Sequence, residues 1–255
     1  MAKVSYLLFI IFGFILFNSC SNHQEIETPA ATQIPVAYSD GRLQKSYGAY
    51  LAGRVAHLRK NFNVAADYYI KALNEDPENQ DLLSRVYVIL ASKGRIAEAA
   101  RYAEISLQKG DKNNITYIII SVEKMKQGNY PQVIETINNL DGPVYKEFIN
   151  PLIKAWAYVG ENQPDKALKE LSIISKEPSF RALYNFHAGM INDYFNRNDE
   201  ARKHYEVIVN EESLEMSFRA LQIITNFYVR TGEQEKAVAL VNKYNDDKLM
   251  LDMLN

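Results

Sequence analysis

Cysteine is nearly missing from this sequence of 255 residues, where Cys20 stands alone. No disulfide can form within the chain, and one cysteine with four scattered histidines does not make a structural zinc site. Proline (8) and glycine (11) are also sparse. With no long Ser/Gly tract either, collagen-like and low-complexity classes are excluded. Neither sign of charge dominates: 29 Lys and Arg stand against 31 Asp and Glu, for a net charge of −2. The basic residues look scattered rather than striped, so no nucleic-acid partner is expected. Catalytic signatures are missing too: there is no glycine-rich phosphate loop, no Gly-x-Ser-x-Gly elbow and no His-Glu-x-x-His. His23, His57, His187 and His204 lie far apart, and the carboxylate pairs Glu211-Glu212 and Asp246-Asp247 fall in expected loops or near the end, where solvation accounts for them. The expectation is no enzyme, no metal, no cofactor and no small-molecule substrate.

What is present begins with an apolar leader. Residues 1–17 (MAKVSYLLFIIFGFILF) carry one charge, Lys3, and then an apolar run of about 14 residues, short of the ~20 that span a bilayer. A charged start, a short apolar core and small polar residues form the layout of a secretory signal peptide. Asn18-Ser19-Cys20 follows, and a lone cysteine one small residue past such a core resembles the lipobox of bacterial lipoproteins. The motif prefers Leu where Phe17 stands, and Asn18 is unusual at its place. The resemblance implies a signal peptide over 1–19, removal of that segment, and a lipid on Cys20 as the new N-terminus. The protein would then be exported and anchored to a membrane facing the periplasm. Ser21 in place of Asp is similar to outer-membrane lipoproteins of enteric bacteria. An ordinary signal peptide or an uncleaved anchor, with Cys20 incidental, is the other reading. Residues 20–45 hold Pro29 and Pro35 and show no helical apolar period, so they are expected to be a flexible tether of roughly 25–30 Å.

A period of 34 residues runs through the remainder. From Ala65 it lands on Ala99, Val133, Ala167 and Ala201; four residues on, on Tyr69, Ala103, Ile137, Leu171 and Tyr205; three further, on Ala72, Ser106, Leu140, Ile174 and Ile208. Small, bulky and apolar residues at spacings of four and three make one helix face. Gly94, Gly128, Asn162 and Asn196 share an upstream slot suited to a left-handed turn between two helices. The step then slips by two, to Gly232 and Ala237. Helical pairs this short cannot bury an apolar face alone, so neighbours must stack.

A helix, a Gly/Asn turn and a second helix with Ala-x3-Tyr-x2-Ala and a following Pro resembles the tetratricopeptide repeat. The first unit carries the pattern best, with Gly53, Phe62, Ala65, Tyr69, Ala72 and Pro77. The resemblance covers 46–244, in units 46–79, 80–113, 114–147, 148–181, 182–213 and 214–244. It implies an all-α, right-handed superhelical solenoid of about six helix-turn-helix units. Residues 245–255 would be a short capping segment or a tail, with Leu249, Met250, Met253 and Leu254 on one side.

In that family the first helix of each pair lines a concave groove that takes a peptide or helix. Carried onto this sequence, the groove slots are Tyr50, Arg54 and His57; Ile118, Val122 and Met125; Leu152, Trp156 and Val159; Phe186, Met190 and Tyr194; and Arg219, Gln222, Asn226 and Arg230. The middle of the groove is apolar and its ends are polar, and a contiguous apolar strip marks a binding site. Trp156, the only tryptophan, is the residue type most often found as an interface anchor. If Gly160 rather than Asn162 made the turn of unit four, Trp156 would belong to the core instead. The leading expectation is a membrane-anchored scaffold or adaptor that binds a protein partner of the cell envelope. The alternative is a structural subunit of an outer-membrane or pilus assembly complex.

Overall fold

The computed structural model describes residues 41–211 and 216–244. The leader, Cys20, nearly all of the expected tether, and the segment 245–255 lie outside the described residues. Among the described residues twelve α-helices follow one another in six pairs: α1 Gly41–Leu58 with α2 Phe62–Glu75, α3 Gln80–Ser92 with α4 Ile96–Gln108, and α5 Asn114–Lys126 with α6 Tyr130–Ile137. Then come α7 Asn150–Gly160 with α8 Pro164–Leu171, α9 Arg181–Tyr194 with α10 Asn198–Val209, and α11 Phe218–Arg230 with α12 Gln234–Tyr244. Among the described residues there is no strand. The first helix begins at Gly41, inside the stretch expected to be tether up to 45. Without an apolar period in its first turn, that start carries no signal in the sequence.

All six pairs close in the same way. A residue with positive φ follows each first helix: Lys60 (58°), Gly94 (72°), Gly128 (72°), Asn162 (60°), Asn196 (59°) and Gly232 (83°). The next residue's N–H then reaches back five residues to a helix carbonyl, as in Arg95 to Leu90 (3.0 Å) and Arg197 to Asn192 (2.8 Å). This bond satisfies a carbonyl left free by the helix end, as in a Schellman motif. The positive-φ residues repeat every 34 positions until the slip before Gly232. The turn of the fourth pair is made by Asn162, while Gly160 remains helical beneath the ring of Tyr130. At the starts, Asn61, Asn79, Asn113 and Ser217 cap helices α2, α3, α5 and α11 by accepting from backbone N–H groups.

The periodic slots form the interior. All fifteen residues of the three five-member series are at most 3% exposed, so the 34-residue step is a map of burial. Gly53 and Gly189 let the rings of Tyr69 and Tyr205 lie directly on helices α1 and α9; a Cβ there would come within 2.7 and 2.5 Å of the rings. The buried side chains fall into four clusters along the array: one through the first three pairs, a small one at Tyr117, Ile137 and Leu140, one around Ala155 and Leu171, and one around Tyr205 and Phe227.

Candidate functional site

The first helices of the last three pairs come together around a shallow cavity of about 350 Å³. Trp156 enters from α7, Met190, Asp193 and Tyr194 from α9, Ile223 and Arg230 from α11, and Tyr205 from α10. Trp156 and Met190 occupy the same slot one period apart, so the repeat itself brings them side by side.

The polar edge of Trp156 is already satisfied. Its Nε1 donates to His187 Nδ1 at 3.1 Å, and the two rings meet edge-on with centroids 5.9 Å apart. The bond requires Nδ1 to be unprotonated, and burial alone pushes His187 down to about 4. The indole is half-buried: it packs against the Ala155–Leu171 cluster and also lines the cavity. What it can offer a ligand is an apolar ring surface held in a fixed orientation. Opposite it, Arg230 donates to Asp193 Oδ1 at 2.6 Å, joining α11 to α9. Burial, followed by the nearby Asp193 carboxylate, pushes the Tyr205 hydroxyl well above its ordinary range. The site is thus an apolar hollow with one ion pair on its wall.

Four of the sequence-derived groove residues, Trp156, Met190, Tyr194 and Arg230, line this cavity. Others do not. Val159 is a correction: it is buried in the same core as Ala155, because it lies on the helix face turned toward α8. Leu152 and Phe186 are half-buried and pack against cores. Ile118 packs beside Tyr117 and Ile137, Met125 is half-buried and Val122 is exposed. Arg219, Gln222 and Asn226 are exposed on α11. Tyr50, Arg54 and His57 make their own group on α1: Arg54 Nη1 donates to Tyr50 Oη at 3.3 Å, and His57 lies edge-on to Phe62 with centroids 5.4 Å apart. Desolvation, then the positive charges of Arg85 and Arg54, hold His57 below its ordinary range.

Asp193 and Ile223 are the functional candidates missed from sequence. The signal for Asp193 was present, since one period from Val159 lands on it rather than on Tyr194. Ile223 lies beyond the two-residue slip, where the step no longer points. No group of three or more His, Cys, Asp or Glu able to hold a metal ion occurs among the described residues.

At the level of sequence, no family model and no curated protein matches this chain. Its structure is similar to that of a tetratricopeptide repeat protein from Parabacteroides merdae, with TM-score 0.61 and 14% identity over 78% of each chain. It is also similar to MamA from Desulfovibrio magneticus RS-1, with TM-score 0.56 and 14% identity over 66% of this chain and 95% of that one. A third is YrrB, described as a TPR protein with an unusual peptide-binding site, with TM-score 0.53 and 14% identity over 66% and 86% of the two chains. The chain has the tetratricopeptide-repeat fold. In these terms the cavity lies among the first helices of tetratricopeptide units four to six, and the Tyr50 group belongs to unit one.

Proposed function

We propose that the protein is an anchored docking adaptor whose inner face binds an apolar segment of another cell-envelope protein, with Trp156 as the main contact. The observation that carries this reading is the cavity. Its aromatic and aliphatic lining is available to a ligand, while the Trp156 N–H is already bonded to His187. An apolar side chain seated there loses water without stranding a polar group. The likeness to YrrB, described with a peptide-binding site, supports the class of ligand. The anchor in this reading is a lipid on Cys20, supported by its place just after the apolar leader. Acyl chains bury about 0.8 kcal/mol per methylene, and two or more hold a protein on a bilayer.

Two measurements test the two halves. A photo-crosslinking residue at Tyr194, in cells, should capture a discrete protein, and Trp156→Ala should abolish the adduct. The same residue at Val207, exposed on α10, should not capture it. Identical adducts from both positions would remove the groove from the reading. For the anchor, metabolic palmitate labelling should vanish in Cys20→Ser, and label that persists there refutes lipidation.

A further inference from the structure

The outward side of α1 is apolar where the end of a stacked array is normally polar. Tyr47, Leu51, Val55 and Leu58 recur at helical spacing and are 64%, 60%, 47% and 75% exposed. Two and three periods further along, the Tyr47 and Leu51 positions lie in the stacking surface, whereas one period along they are the exposed Asp81 and Arg85. Ile115 and Ile119 of α5 pack into the first cluster, and Ile149 and Ile153 pack beside Ile137. On α1 the same face has no repeat before it among the described residues. Solenoids close such a face with a polar outer side, and the described residues supply none here.

Its charge is also unlike the rest of the chain. From Gly41 to Ala66 the sequence carries Arg42, Lys45, Arg54, Arg59 and Lys60 and no Asp or Glu. The chain totals −2, so the remainder is −7. Arg54 lies beside the apolar stripe on α1, Arg59 and Lys60 follow directly on its end, and all three are exposed. A helix with an apolar stripe bordered by basic side chains matches the boundary of an anionic bilayer, where the stripe enters the headgroup region and the cations meet phosphates. A second copy of α1 would set like charges against each other. Among the described residues the far helix offers no acidic complement either, since α12 balances Glu235 with Lys236 and Lys243.

We infer that α1 docks on an anionic lipid surface through Tyr47, Leu51, Val55 and Leu58, with Arg54, Arg59 and Lys60 against lipid phosphates. The helix lies along the surface: among the described residues no helix is long and apolar enough to cross a membrane. This contact stands apart from the Trp156 cavity, and it orients the array whether or not Cys20 is acylated.

The test uses the full chain with Cys20→Ser and a single reporter cysteine, Leu58→Cys or Val238→Cys, each carrying an environment-sensitive dye. The probe is phosphatidylcholine vesicles with or without phosphatidylglycerol, carrying a lipid-borne quencher. The dye at position 58 should be quenched on vesicles containing phosphatidylglycerol and much less without it, and the dye at 238 in neither case. Adding Arg59→Glu and Lys60→Glu should weaken the contact by about fivefold or more per charge, with helical circular dichroism unchanged. Equal quenching at 58 and 238 would overturn the inference. So would quenching at 58 that ignores phosphatidylglycerol, or a dye at 58 shielded only in a concentration-dependent dimer.

Discussion

Units one and two differ consistently from units three and four in the length of their second helices. First helices keep 13 or more residues in five units and 11 in the fourth. Second helices run to 14 and 13 residues in units one and two but only 8 in units three and four. Yet Leu140 and Ile174, past the ends of the short helices, are as buried as Ala72 and Ser106 inside the long ones. A turn after Ile137 and a 3₁₀ segment at Ile174–Lys176 carry them into place. The period thus constrains which side chains are buried, while the backbone that delivers them may be helix or turn. The inner face, where the candidate site lies, stays helical throughout.

If that comparison holds, truncation should cost as much in a short unit as in a long one. Leu171→Ala, at a fully buried slot of unit four, and Leu83→Ala, in unit two, should each lose about 2–5 kcal/mol, read from urea melts followed by helical circular dichroism. A loss under about 1 kcal/mol at Leu171 alone would mean that the short units are slack.

Acid should separate the two ends of the molecule next. His187 titrates at about 4 in the folded chain because it is buried, and near 6.5 when unfolded. The unfolded chain therefore binds more protons between these values, so the contribution is complete above pH 6.5 and is lost as the pH falls toward 4. It amounts to about 3 kcal/mol, and His187→Gln should remove most of this dependence. Fluorescence of Trp156, whose N–H bonds His187, should report the change in the last three units.

Glycine substitutions sharpen the contrast further. Gly53→Ala and Gly189→Ala press on Tyr69 and Tyr205, which are fully buried and cannot move, and should each cost about 1–3 kcal/mol. Gly160→Ala points at the far end of the Tyr130 ring, but Tyr130 is half-buried and can swing aside. It should cost least of the three, by thermal melts. The smallest effect is a gain: Lys60, held at φ 58° where units two and three have glycine, should yield about 1 kcal/mol on replacement by Gly, seen as a raised melting temperature.

The fold was legible because stacking repeats one burial pattern, and four successive steps from Ala65, each landing on Ala or Val, display it. The turns at Gly94, Gly128, Asn162 and Asn196 were equally readable. Lys60 was not, since lysine has no preference for a left-handed turn and only its position in the period gives it away. The site was legible in part. The 34-residue period places Trp156 and Met190 together, but a helix face spans several adjacent residues, so the period alone does not tell the buried Val159 from an outward residue or Asp193 from its neighbour Tyr194. The hydrogen bond between Trp156 and His187 links residues of different units through side-chain geometry that no period encodes. The basic character of α1 does not show in the net charge of the whole chain, where the acidic remainder hides it.

The small buried cluster at Tyr117, Ile137 and Leu140 separates a large cluster on its N-terminal side from two on its C-terminal side. A chain of stacked units under strain parts at its weakest joint. Amide protons around unit three should therefore exchange with solvent by openings that leave both flanks intact. On that expectation unit three is a compliant waist, with α1 on one side of it and the Trp156 hollow on the other.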